Sequence, residues 1–125
     1  MELQKIEIDE IGETENQCPS DVFLQIIKGK CKTTLIVLIK KGRNRFGELR
    51  RTLPTISERM LAKQLEELVK DGILTRQSFG EVPPRVEYYL TDYGETIYPI
   101  IKEMRKWGYL HIERQISSEY DIKKI

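Results

Sequence analysis

The stretch ISERMLAKQLEELVKDG, residues 56–72, decides the fold. Ser57 offers a hydroxyl to the free N–H groups of a first helical turn, and Leu61, Leu65, Leu68 and Val69 then recur at three- and four-residue spacing until Asp71 and Gly72 stop the helix. At about 100° per residue that stripe turns inward, which leaves Arg59, Lys63, Glu66 and Lys70 on the opposite side. Just upstream, Phe46, Leu49 and Leu53 mark a short helix that ends before Pro54. A short helix joined through a tight connection to a capped one is a helix-turn-helix, whose second helix projects outward.

On the C-terminal side, Ile73–Phe79 reads as a strand and Gly80–Pro84 as a turn stiffened by Pro83 and Pro84. Arg85–Leu90 follows as a second strand, with Val86, Tyr88 and Leu90 on one face, so the pair forms a hairpin. Thr91 or Asp92 then caps a long helix in which Ile97, Ile100, Ile101, Met104, Trp107 and either Leu110 or His111 keep helical spacing. On the N-terminal side, Val22, Phe23, Ile26 and Ile27 mark a first helix with Pro19 in its opening turn, ending near Gly29. Leu35, Ile36, Leu38 and Ile39 mark a second, over Thr33 to Lys41, with Gly42 as its stop. The order predicts an α+β chain, mostly helical: a winged helix-turn-helix with a two-stranded β wing and added N- and C-terminal dimerisation helices. Its expected limits are 18–116, between an acidic arm over 1–17 that is either a short strand or a mobile tail and a frayed tail over 117–125.

The 125 residues suit one domain, and a formal net charge of +1 conceals an uneven distribution. Residues 1–17 hold one basic side chain against six acidic ones, a balance of −5, whereas 18–94 hold fourteen against nine, a balance of +5. A basic centre of this kind suits a polyanionic partner. The longest aliphatic run, Leu35–Ile39, is far short of the roughly 18 residues a membrane span needs, so no membrane partner and a cytoplasmic location are expected. Cys18 and Cys31 with His111 cannot complete a four-ligand zinc site in one chain, and no nucleophile–base pair stands out. No metal, no cofactor and no enzymatic activity are expected.

Double-stranded DNA is the expected partner. A recognition helix presents its first turns to the major groove, where Arg pairs with guanine edges, which selects Ser57, Glu58, Arg59, Ala62, Lys63 and Gln64. Arg45, Arg50 and Arg51 precede the same helix and reinforce its charge. In the hairpin, Arg76 and Arg85 are placed to reach a phosphate or the minor groove; for Arg85, pairing with Glu81 or Glu87 is the equal alternative.

The runs FGELRR (46–51), ISERMLAKQLEEL (56–68) and EVPPRVEYYLTDYG (81–94), with Cys18-Pro19 and Gly29-Lys30, resemble the HxlR-type winged-helix regulators of bacteria and archaea. The resemblance spans Cys18 to about Trp107. It implies a sequence-specific regulator that binds a palindromic operator as a homodimer through its first and last helices; a repressor is expected, because 125 residues leave no room for a separate activation domain. Val22, Phe23 and Ile26 from the first, and Ile97, Ile100, Ile101, Met104 and Trp107 from the last, are the expected interface. Cys18 matches a cysteine that some relatives use to sense oxidants or electrophiles, and a helix N-terminus favours a thiolate, although a small buried cysteine is the alternative. Cys31 departs from the family pattern, which has tryptophan there. A winged-helix protein-interaction module without DNA binding is the competing reading, and the residues name no small-molecule effector.

Overall fold

The computed structural model describes residues 18–124, with side chains through Ser118; the acidic arm falls outside them. The elements run α1 (Pro19–Ile27), α2 (Lys32–Lys40), α3 (Phe46–Thr52), α4 (Glu58–Lys70), β1 (Leu74–Phe79), β2 (Arg85–Leu90) and α5 (Asp92–Lys124). This is the expected winged helix-turn-helix. Pro19 occupies the first turn of α1, where its missing N–H costs nothing. Ser57 accepts a hydrogen bond from the Met60 N–H at 3.1 Å, so the hydroxyl that marks the start of α4 in the sequence also caps it. At its other end Gly72 takes φ +80, the left-handed conformation that ends helices.

The wing pairs Leu74 with Leu90 and continues in antiparallel register to Phe79 opposite Arg85. A single bridge from Arg45 to Glu87, and the Tyr88 N–H donating to the Asn44 carbonyl at 2.9 Å, tie the loop before α3 to the free edge of β2. Thr91 is the cap of α5: its hydroxyl accepts from the Gly94 N–H at 2.9 Å and donates to the Gly72 carbonyl. A Cβ on Gly94 would collide with the Ile73 carbonyl, so only glycine lets α5 start this close to the end of α4.

The core is built from α2, α3, α4 and the start of the wing: Leu35, Ile36, Leu49, Leu61, Leu65, Leu68, Ile73 and Leu74 are all fully buried. Fully burying one such aliphatic side chain stabilises the fold by about 1.5–3 kcal/mol. Two residues assigned to the dimer interface belong here instead. Ile97 and Ile101 are 7% and 0% exposed within the subunit, packed toward α2, because the apolar stripe of α5 is wider than one contact face. Arg105 continues that inner face and donates to Thr34 Oγ1 at 3.3 Å. The helix is also longer than the apolar periodicity suggests, since its backbone stays helical past Ser117 to Lys124.

A second polar link holds α4. Lys32, only 5% exposed, reaches Glu67 at 2.9 Å from the start of α2. The adjacent turn brings Gly29, at φ +147, so close to the Gln64 side chain that a Cβ there would collide with it. Helix α4 is therefore fixed on its inner side by leucines and on its flank by an ion pair and a glycine contact.

Candidate nucleic-acid interface

The outer face of α4 begins at its capped end. Glu58, Arg59, Ala62 and Lys63 are exposed there, opposite the buried Leu61–Leu65–Leu68 stripe. The free N–H groups of that first turn and the two cations give this end positive potential. Ser57 is exposed as well, with its hydroxyl engaged in the cap. Gln64 departs from its expected place on this face. It is 4% exposed and turned toward the Gly29 turn, with its Nε2 3.4 Å from Met60 Sδ and its Oε1 without a partner among the described residues. The reason is angular: three residues beyond Leu61 and four before Leu68, Gln64 shares their side of the helix.

The arginines around α4 divide in the same way. Arg45, Arg51 and Arg76 are exposed, and among the described residues none has a carboxylate at ion-pair distance. Arg50 is half-buried and donates to the Ile56 carbonyl at 2.9 Å, which shapes the turn between α3 and α4 and takes the side chain away from the outer surface. Arg85 lies 3.9 Å over the Phe79 ring and pairs with Glu81 at 3.1 Å, with Glu87 3.9 Å away. The pairing alternative for Arg85 is thus the one the fold adopts. Glu87 is also the acceptor of the Tyr89 hydroxyl at 2.6 Å, and that hydrogen bond pushes the Tyr89 phenol above its usual range.

Between α3, α4 and the wing lies a cleft of about 950 Å³. Phe46, Val69, Val86 and Tyr88 line its floor, and Arg45, Arg51 and Arg76 its rim.

Away from this face, α5 carries an apolar row of Ile100, Met104, Trp107 and Leu110, all exposed, with Trp107 at 67%. His111 stacks on Trp107, ring centroids 5.1 Å apart. On α1, Val22 is exposed, whereas Phe23 and Ile26 are half-buried against the core. Cys18 sits partly buried at the N-cap position of α1. Burial pushes the Cys31 thiol up, with Lys30 pulling the other way, and Cys31 sits in a left-handed conformation at φ 68. Among the described residues no group of three or more His, Cys, Asp or Glu side chains converges on a point. No helix there is long and apolar enough to cross a membrane.

Residues 26–116 match the model of the HxlR-like helix-turn-helix family. The chain belongs to the HxlR-like family. Like the other helix-turn-helix regulators it resembles, this HxlR-like chain is a transcription regulator. It is 40% identical over 114 residues to the HTH-type transcriptional regulator YdeP of Bacillus subtilis, which covers 91% of this chain and 89% of that one. Among solved structures, the redox regulator HypR in its reduced form superposes with a TM-score of 0.75 at 42% identity, over 80% of this chain and 99% of that one. Diamide-treated YodB from B. subtilis gives 0.62 at 31% identity, over 77% and 96%.

Lys32, Glu67 and Gly29 escaped the sequence reading. Nothing in the local pattern joins a lysine at one helix start to a glutamate two helices later, and neither a helix stop nor a family motif at Gly29 points to a contact with Gln64.

Proposed function

We propose that this HxlR-like chain binds duplex DNA as a homodimer, reading a palindromic operator with the exposed N-terminal turns of α4 and acting as a repressor. The observation that carries the reading is the pair Arg59 and Lys63. They stand one turn apart on the solvent face of a capped helix whose opposite face is buried, and Arg51, without a carboxylate partner among the described residues, lies on the preceding helix. Glu58 and Ala62 complete the row that would enter the major groove. Arg45 and Arg76 are placed for phosphate contacts, which fix register without reading sequence. The row Ile100, Met104, Trp107 and Leu110, with Val22, is the surface that a second copy would cover.

A thiol response through Cys18 belongs to the same reading. It is supported by the partly accessible position of Cys18 at a helix start and by the likeness to a redox regulator solved in both oxidised and reduced forms. An interaction module without DNA binding would give no reason for cations along one face that have no carboxylate partner among the described residues.

Selection from a random duplex pool tests the reading. Recovery of a twofold-symmetric sequence with half-sites about 34 Å apart is expected, and recovery of no enriched sequence would refute it. Operator affinity before and after diamide, compared with Cys18→Ser, tests the thiol arm; equal affinities throughout would refute that arm alone.

A further inference from the structure

We propose that the cleft between α3, α4 and the wing binds a small aromatic carboxylate, and that its occupation excludes DNA. The second clause rests on the DNA reading above; the first does not. At about 950 Å³ the cleft is at the upper end of the roughly 300–1,000 Å³ typical of small-molecule sites. Its floor is apolar, with Tyr88 buried and Phe46, Val69 and Val86 half-buried. That surface gains from covering by a flat hydrocarbon body.

The rim selects the charge. Arg45, Arg51 and Arg76 have no carboxylate partner among the described residues, and Arg85 is occupied by Glu81. Glu48 and Glu66 also line the cleft, so the three free guanidinium groups exceed the two carboxylates by one charge. A monoanion balances that excess, and a guanidinium fork matches a carboxylate in geometry. The Nε of Arg85, buried and without a partner among the described residues, adds an unused donor in the wall. A bare phosphate would use the rim and leave the floor in water; an aromatic acid uses both. Because Arg45, Arg51 and Ala62 belong to both the cleft and the proposed DNA face, a carboxylate held here competes with a DNA phosphate for the same cations.

The test is titration of the full chain with 2-naphthoate at constant ionic strength, followed by calorimetry and by amide chemical shifts. Saturable binding of one molecule per chain is expected, with shifts centred on Val69 and Tyr88. Arg51→Ala should weaken it about two- to fivefold and Glu66→Gln should tighten it by a similar factor, the range of one exposed ion pair. Gly47 lines the cleft on α3, and a Cβ there meets only Arg51 Nη1 at 3.5 Å, so the side chain of Gly47→Leu starts in open space in the cleft and should abolish binding. At saturating 2-naphthoate the operator Kd should rise about tenfold. Absence of saturation, indifference to Arg51→Ala, or equal binding of 2-naphthylmethanol or inorganic phosphate would overturn the site. Naphthoate binding without any change in operator Kd would overturn the competition, whereas failure to bind any operator in the absence of naphthoate would count against the DNA reading alone.

Discussion

Arg59 stands in the first turn of α4, exposed, with no acidic partner among the described residues. Arg59→Ala is expected to weaken operator binding by about 1–3 kcal/mol, the discrimination carried by one bidentate base contact, and to leave thermal stability unchanged. Fluorescence anisotropy with the selected duplex measures the first and a melting curve the second. Glu67 makes a different kind of contribution. The Lys32 hydrogen bond holds its carboxyl below the ordinary range against an opposing effect of burial. A carboxyl lowered in the folded state stabilises the fold above its unfolded value, and that contribution disappears as pH falls through the folded value. Glu67→Gln should therefore lower Tm at neutral pH, and the difference from the unchanged protein should shrink as pH falls through the folded value of the carboxyl. At this scale the sequence was readable wherever one helix decides an outcome, as for Ser57, Arg59 and Lys63. It was not readable for Gln64, Arg50 or Lys32, whose surroundings come from the Gly29 turn, the Ile56 carbonyl and Glu67.

Helix α5 has two apolar faces that periodicity alone merges into one. Ile97 and Ile101 close the core of their own subunit, and Ile100, Met104 and Trp107, rotated toward solvent, remain uncovered. The element and its amphipathic character were legible because the spacing is local; which isoleucine meets α2 depends on the crossing of two distant helices. Trp107→Glu is expected to weaken dimerisation by about 2–4 kcal/mol, the scale of a central aromatic contact. Sedimentation at micromolar concentration is then expected to show a monomer for the variant and a dimer for the unchanged chain. Ile101→Glu, by contrast, should lower Tm first, since that side chain is fully buried. The wing was legible from its alternation and its paired prolines, but its anchorage to Asn44 and Arg45 required the tertiary fold.

For the molecule as a whole, a balance of −5 over residues 1–17 and +5 over 18–94 sets a basic domain beside an acidic arm in the sequence. Within 18–94, Arg45, Arg51, Arg59, Lys63 and Arg76, on or beside α4, have no carboxylate at ion-pair distance among the described residues, whereas Lys32, Lys40 and Arg85 form ion pairs. Operator affinity should accordingly fall with added salt, with log K linear in log salt concentration, and Arg51→Ala should reduce the slope by about one. The central claim is that two copies present α4 to one duplex, and a hydroxyl-radical footprint on the selected operator measures this most directly. Two equal protected blocks on one face of the DNA, related by a twofold axis and separated by about one helical turn, are predicted, with both lost in the Arg59→Ala, Lys63→Ala double variant. A single asymmetric block, or protection that survives in the folded double variant, would contradict it.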